Sequence, residues 1–222
     1  MALPWNTVAD VATPDGRLKL LRRNDRDWLI TIDGRVLMNS ASARSEVALG
    51  ALACAGLHRQ ASPRVLLGGL GMAFTLRAVL DALPKGGAVT VAELNPVVVE
   101  WCRGPIAHLT DGAVSDPRVT VSIGDFAHAL ADAADREAGL DAVVVDLYVG
   151  PDNDTKPSDP LYGNRATRRA FDALRPGGVF AVWGENFHEG YARRLQAAGF
   201  SVRRENPARG SGRMVVYLAT RP

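Results

Sequence analysis

The sequence predicts an α/β domain built on a doubly wound, mainly parallel sheet. From residue 64 onward, apolar segments of strand length alternate with segments of helix length, which is typical of repeated strand–helix units. The apolar segments, such as 142–145, are continuous rather than alternating, as expected for strands covered by helices on both faces. Near the end, strand-like segments at 201–204 and 214–219 are joined by a loop too short for a parallel crossover. We therefore expect a Rossmann-like sheet closed by a C-terminal antiparallel hairpin.

Strands and helices alternate through the body of this predicted domain. The strands are expected at 64–68, 88–93, 119–123, 140–146 and 178–183. The helices are expected at 72–83, 96–109, 125–134, 164–174 and 188–198. Gly199 follows the last helix, at a position where glycine commonly ends a helix. Ligands of open α/β sheets bind beyond the carboxyl ends of the strands, so the residues after each strand are the candidates for function.

The N-terminal part of the chain has a different pattern of strand-like segments from the rest. Strand-like segments occur at 18–22, 28–32 and 36–38, and an aspartate-glycine turn separates the last two. A segment with helical apolar spacing follows at 42–57. We predict a β-hairpin and helix extension over residues 1–60, ahead of the Rossmann-like domain of residues 61–222.

Composition restricts the classes of function. The chain has 222 residues, 47% of them hydrophobic and 23% charged, which is enough for one full core. A net charge of +2 is not typical of a dedicated nucleic-acid binder, and no apolar run approaches the roughly eighteen residues of a membrane span. Cys54, Cys102 and the scattered histidines lack the spacing of a metal site. We expect a cytoplasmic protein with no metal and with neither membrane nor nucleic acid as a partner.

The ends of the first two strands of the predicted sheet indicate a nucleoside site. A glycine turn at 69–71 lets the backbone bend sharply and approach a ligand before the next helix. Glu93 ends the second strand, where a carboxylate can accept both ribose hydroxyls. Phe74 stands where a dinucleotide fingerprint has its third glycine, so a nucleoside without pyrophosphate is favoured. The predicted cofactor-binding residues here are Gly69, Leu70, Gly71, Met72, Glu93 and Leu94.

The ends of the third and fourth strands supply further candidates. Asp125 offers a carboxylate to an adenine amino group beside Phe126, whose ring would cover the base; Asp125 could equally cap the next helix. After the fourth strand, Asp146 and Tyr148 place an acid and a phenol at the centre of the site. We predict Gly124, Asp125, Phe126 and Asp146 as cofactor-binding residues, and Asp146 and Tyr148 as catalytic residues.

On these residues the chain resembles the polyamine aminopropyltransferases, or spermidine synthases, within the class I S-adenosylmethionine-dependent methyltransferase fold. Residues 69–77 parallel the glycine loop of that family and the threonine-leucine-arginine that follows it. Glu93 and Asp146 fall at its nucleoside and catalytic positions. Further similar segments are the hairpin turn 32–34 with the acidic helix start 45–47, Leu161 and Tyr162, and Gly210, Ser211 and Gly212.

The resemblance implies a transferase that moves an aminopropyl or related alkyl group from an adenosyl sulfonium. The donor would be S-adenosylmethionine or its decarboxylated form, and the product S-adenosylhomocysteine or methylthioadenosine. Asp146 would hold or deprotonate a small-molecule amine or other nucleophilic acceptor, and Tyr148 would position it. The resemblance also implies a homodimer. The substrate-binding candidates are Glu46, Asp152, Tyr162, Trp183 and Glu185.

Three positions depart from the family pattern. Met72 replaces an aspartate that pairs with the donor amine, Val149 replaces a second acid, and residues 37–38 replace a glutamine with an apolar pair. A polyamine carries several charges and needs carboxylates to offset its desolvation. Three alternatives therefore stay open: a methyltransferase, a catalytically idle nucleoside-binding module, and an RNA-associated protein that uses its surface arginines.

Overall fold

A computed structural model describes residues 3–135, 139–207 and 214–222. The N-terminal part is a four-stranded antiparallel sheet whose strands follow one another in chain order. Its strands are β1 (Asn6–Thr13), β2 (Gly16–Arg23), β3 (Asp27–Ile32) and β4 (Arg35–Asn39). The hairpin unit predicted from the sequence lacked β1. None of the residues of β1 is fully buried, so the strand carries no clear apolar alternation, and only the proline-aspartate-glycine turn at 14–16 signals it.

The main sheet is mostly parallel, as predicted. Within the described residues its strands are β5 (Arg64–Gly68), β6 (Ala88–Glu93), β7 (Val119–Ile123), β8 (Leu140–Val145), β9 (Leu174–Gly184), β10 (Ser201–Glu205) and β11 (Val215–Thr220). Their order is β10-β11-β9-β8-β5-β6-β7. Strands β5 to β9 pair in parallel, whereas β11 runs antiparallel to both β9 and β10. The predicted fold class, including the C-terminal hairpin, is confirmed.

The helices agree with the prediction in number but not always in length. They are α1 (Arg44–Ala53), α2 (Phe74–Ala82), α3 (Pro96–Arg103), α4 (Phe126–Ala134), α5 (Asn164–Ala173) and α6 (Glu189–Ala197). The helix predicted at 96–109 is wrong in its second half. Gly104 caps α3, its N–H bonding the carbonyls of Glu100 and Trp101, and the following proline cannot continue an α-helix. Short 3₁₀ turns carry the chain onward from there. Across the described ranges, no helix has both the length and the hydropathy needed to cross a membrane.

The N-terminal sheet shares its core with the main sheet. Leu18 and Ile30 are buried in the same apolar cluster as Leu67 of β5 and Leu76 of α2. Each such side chain contributes about 1.5–3 kcal/mol when it is fully buried. The domain boundary at residue 60 stays a prediction. The shared core holds the N-terminal sheet against the edge of the main sheet at which the glycine turn follows β5.

Helix α1 packs closely on α2 at Gly50. A Cβ built on Gly50 would lie 2.8 Å from the carbonyl oxygen of Thr75 and 2.8 Å from the Cβ of Ala78. Gly190, near the start of α6, has nothing within 4 Å of the same position. Gly50 therefore lies at a close contact between two helices, whereas Gly190 has open space at its Cβ position.

We expect Gly50→Ala to lower the free energy of unfolding by about 1–3 kcal/mol, because overpacking outweighs the gain in helix propensity. Gly190→Ala serves as the matched control and should raise it, by up to about 1 kcal/mol. Urea denaturation followed by circular dichroism measures both. Equal stabilisation by the two substitutions would contradict the close α1–α2 contact.

Candidate active site

The glycine turn after β5 brings three elements together. Gly69 has a φ of +86°, and a Cβ there would collide with the main-chain carbonyl oxygen of Asp146. Gly71 has a φ of +53°, and its Cβ would lie 2.8 Å from Sδ of Met38. Side chains at either position would push the end of β8 or the edge of β4 away. The two glycines therefore let β8 and the N-terminal sheet meet at one place.

Glu93, the last residue of β6, is held across this turn. Its side chain is 7% exposed. Oε2 accepts a hydrogen bond from the Leu70 N–H (2.9 Å), and Oε1 accepts one from the Asn95 N–H (2.9 Å). Burial raises the pKa of Glu93, and these backbone hydrogen bonds oppose that rise. The carboxylate is fixed in orientation, and each oxygen keeps capacity for a further hydrogen bond.

Asp146 directly follows β8 and faces the same space. The hydroxyl of Thr75, a buried residue of α2, donates a hydrogen bond of 2.5 Å to Oδ2 of Asp146. Burial raises the pKa of Asp146 to about 6; the Thr75 hydrogen bond lowers it, and the charge of Glu46 raises it further. A carboxylate with a pKa near 6 is mostly ionised at neutral pH and accepts a proton more readily than an ordinary aspartate.

These groups line a cavity with a volume of about 290 Å³ between the N-terminal sheet and the carboxyl ends of β5, β6, β8 and β9. Glu46, Glu93 and Asp146 are the charged residues among the described ones that line it, and no lysine or arginine is with them. The lining residues are Leu18, Ile30, Ile32, Leu37, Met38, Ser45, Glu46, Gly69, Leu70, Gly71, Glu93, Leu94, Asn95, Val98, Asp146, Leu147, Tyr148 and Trp183. The cavity therefore suits a cation with an apolar body.

Half of the lining was anticipated from the sequence. The predicted residues that the structure brings together are Glu46, Gly69, Leu70, Gly71, Glu93, Leu94, Asp146, Tyr148 and Trp183. Tyr148 stands at the mouth with 51% of its surface exposed, whereas Asp146 lies deeper. What each residue does there stays a prediction.

Four of the predicted cofactor residues lie outside the lining. Met72 is fully buried. The ring of Phe126 is 5% exposed and would meet a Cβ on Gly68 at 2.5 Å. The structure thus corrects the prediction that Phe126 covers a base, because its ring packs in the core beneath β5. Asp125 is exposed and caps α4, its carboxylate accepting a hydrogen bond from the Ala127 N–H (2.6 Å). The adenine roles of Asp125 and of Gly124 before it stay predictions.

Three predicted substrate residues are also absent from the lining. Tyr162 is 4% exposed and donates its hydroxyl hydrogen to the Val149 carbonyl (2.7 Å). Asp152 is exposed, and its Oδ1 accepts hydrogen bonds within its own turn. Glu185 is exposed beyond the end of β9. Tyr162 therefore anchors the loop after β8, contrary to the predicted substrate contact. Gly210, Ser211 and Gly212 lie outside the described residues.

The sequence did not predict the wall that the N-terminal sheet forms. That wall consists of Leu18 on β2, Ile30 and Ile32 on β3, and Leu37 and Met38 on β4. Alternation on β3 indicates a buried face, but nothing in a local pattern tells which element that face covers. Leu37 and Met38 were noticed only as departures from the family glutamine. The remaining unpredicted lining residues are Ser45, Asn95, Val98 and Leu147. Across the part of the chain that the structure describes, no cluster of three or more histidine, cysteine, aspartate or glutamate residues could hold a metal ion.

Comparison with known proteins identifies the family. A family model described as the spermine/spermidine synthase domain matches residues 54–199. The chain belongs to the spermine/spermidine synthase family. The polyamine aminopropyltransferase of Mycobacterium tuberculosis is 38% identical over 118 residues, which cover 53% of this chain and 21% of that protein. The polyamine aminopropyltransferase 2 of Pseudomonas aeruginosa is 32% identical over 163 residues, 72% of this chain and 44% of that one. The chain thus spans less than half the length of these curated relatives.

Solved structures of this family share the fold. The spermidine synthase of Thermotoga maritima superposes with a TM-score of 0.74 at 21% identity, covering 97% of this chain and 73% of its own. A spermidine synthase in complex with the transition state analogue AdoDATO superposes with a TM-score of 0.73 at 20% identity, covering 97% and 72%. These superpositions include the N-terminal sheet as well as the parallel sheet, and they confirm the family fold expected from the sequence.

Substitution of each of the two neighbours of Asp146 should shift its pKa, in opposite directions. We expect a titration midpoint of about 6 for Asp146, followed by the chemical shift of its ¹³C-labelled carboxyl group. Glu46→Gln should lower this midpoint by removing a nearby negative charge, and Thr75→Val should raise it by removing a hydrogen bond to the charged form. Glu205→Gln, at the far edge of the sheet, is the control and should leave it in place. Shifts in the reverse order would contradict the arrangement described here.

Proposed function

We propose that the chain is an aminopropyltransferase that uses decarboxylated S-adenosylmethionine as donor and a small-molecule amine as acceptor. The observation that carries the proposal is the charge of the cavity, where Glu46, Glu93 and Asp146 stand with no lysine or arginine among the described lining residues. The decarboxylated donor carries a sulfonium and an ammonium group, which suit these acids. The intact donor adds a carboxylate, and its charge would be repelled by them. Family membership and the names of the curated relatives support the same activity.

The adenosyl part of the donor fits the residues around the glycine turn. Glu93 is buried and oriented by the Leu70 and Asn95 N–H groups, so its free lone pairs can accept two ribose hydroxyls. Gly69 and Gly71 line the cavity, and because they have no side chains the end of β8 and the edge of β4 can close around the turn. The donor supplies an activated carbon beside a sulfonium, which already carries its leaving group.

The residues of the chain then have three tasks. Asp146 and Glu46 attract the acceptor as an ammonium ion, and Asp146 accepts one of its protons, which frees the nitrogen lone pair for attack. As the new C–N bond forms, the C–S bond breaks and its electron pair goes to sulfur, which leaves as the neutral thioether methylthioadenosine. The apolar wall of the N-terminal sheet excludes water, and Tyr148 lies where it can orient the amine.

Methyl transfer from S-adenosylmethionine is the second candidate, since Met72 replaces the family aspartate and removes a negative charge that would oppose the carboxylate of the intact donor. The RNA alternative gains no such support. Arg168, Arg193 and Arg203 form ion pairs with acids on their own elements, and Arg194 donates to main-chain carbonyls. A homodimer remains a prediction of the family resemblance, and a cytoplasmic location remains a prediction of the composition.

We expect decarboxylated S-adenosylmethionine to bind at least roughly tenfold more tightly than S-adenosylmethionine, because only the latter brings a carboxylate against the acids of the cavity. Isothermal titration calorimetry measures both, with methylthioadenosine as the uncharged reference. Tighter binding of the intact donor would favour methyl transfer. If none of the three bound at millimolar concentration, the proposal would be wrong.

We expect Glu93→Gln to weaken methylthioadenosine binding by roughly 10–100-fold, because an amide cannot accept from both backbone N–H groups and from both ribose hydroxyls. Glu100→Gln makes the same chemical change on the exposed face of α3 and should leave the affinity unchanged. Thermal unfolding of each variant checks that it is folded at the titration temperature. Unchanged affinity of a folded Glu93→Gln variant would remove Glu93 from the site.

A further inference from the structure

One wall of the cavity is made of hydrocarbon. Every lining residue contributed by β2, β3 and β4 is aliphatic or a methionine: Leu18, Ile30, Ile32, Leu37 and Met38. Leu18 and Ile30 are 1% and 2% exposed. An acceptor that reaches its amine into the cavity therefore meets this wall, which has no polar side chain among its lining residues.

Each carboxylate of the cavity is held at its own place by hydrogen bonds. Glu93 is bound to the Leu70 and Asn95 N–H groups at the glycine turn, on the donor side. Asp146 is held by Thr75 at the end of β8. Glu46 lies at the start of α1, where Ser45 donates a hydrogen bond of 2.6 Å to its Oε2. Asp146 and Glu46 are left for the donor ammonium and the reacting nitrogen of the acceptor, so no carboxylate among the described lining residues remains for a second charge on the acceptor.

The wall is fastened to the rest of the site. Sδ of Met38 lies over Gly71 and accepts the Met72 N–H at 3.0 Å, and a Cβ on Gly71 would meet that sulfur. Leu18 and Ile30 are packed in the same apolar cluster as Met72. Because these contacts are part of the core, the wall cannot turn away to admit water or a charged group without losing buried surface.

A second ammonium on the acceptor would consequently face hydrocarbon. It would lose hydration without gaining a carboxylate, which is costly for an ion. A methyl group at the same place would instead gain by leaving water. The chemistry of the wall thus distinguishes two acceptors of equal length by the charge at their far ends.

We infer that the acceptor carries a single primary amine on an apolar body, with its nitrogen beside Asp146 and Glu46 and its apolar body against the wall formed by β2, β3 and β4. This inference rests on the proposed function. The nitrogen lone pair forms the C–N bond, the C–S bond of the donor breaks toward sulfur, and the released proton goes to Asp146. The products are a secondary amine and methylthioadenosine.

The test uses hexylamine and cadaverine, which have chains of equal length and differ in whether the far end is a methyl or an ammonium group. The full chain is first titrated with decarboxylated S-adenosylmethionine. Methylthioadenosine release is then followed with each amine. We expect kcat/KM for hexylamine to exceed that for cadaverine by roughly tenfold or more.

A charge added to the wall should reduce or remove this preference. Leu37→Glu places a carboxylate at a partly exposed lining position of β4. The ratio of kcat/KM for cadaverine to kcat/KM for hexylamine should rise by roughly tenfold. Val36→Glu adds the same charge at the neighbouring residue, which is 51% exposed and does not line this cavity, and should leave the ratio unchanged. If Leu37→Glu did not fold, the comparison of the two amines with the unsubstituted chain would still test the inferred class of acceptor.

The outcomes separate the two proposals. Failure of the donor to bind overturns the proposed function before any acceptor is added. Donor binding with cadaverine used as well as hexylamine, or with neither used, overturns the inference about the acceptor and leaves donor binding standing. An equal effect of Leu37→Glu and Val36→Glu would also count against it, because it would show general attraction of cations to the surface.

Discussion

The buried carboxylate of Glu93 ties together the parts of the chain that form the donor side of the cavity. It receives the Leu70 N–H from the turn after β5 and the Asn95 N–H from the turn after β6. Two loops that follow neighbouring parallel strands are thereby joined through one side chain at the carboxyl edge of the sheet. A buried ion without such partners would be expensive, so the same hydrogen bonds stabilise the charge and set its direction toward a ligand.

The glycine turn after β5 shapes the cavity because two of its residues have no side chain. Gly69 allows the main chain at Asp146 to lie against it, and Gly71 allows Met38 of the N-terminal sheet to lie over it. The end of β8 with Asp146 and the apolar wall of the N-terminal sheet are therefore brought together at residues without side chains. The wall belongs to another sheet, but it is fixed to this turn through the contact of Met38 with Gly71 and Met72.

The positions of the strand ends could be predicted from the sequence, and so could the residues that follow them. Continuous apolar runs identify buried parallel strands, and all such strands present their carboxyl ends at one edge. For this reason Gly69, Glu93 and Asp146 were predicted to lie together, and they do line one cavity. The same reasoning failed for Phe126, because a local pattern does not show whether a ring after a strand points over a ligand or under the sheet.

By itself, the sequence determined the strand–helix alternation, the antiparallel end of the sheet and the acids that follow β6 and β8. Only the tertiary structure decided which face of the N-terminal strands covers the cavity, that Thr75 donates to Asp146, and that the wall formed by those strands is hydrocarbon. The reason is physical. Periodicity reports burial within one element, whereas the partner of a buried face and the electrostatic neighbours of an acid depend on contacts between residues far apart in the chain.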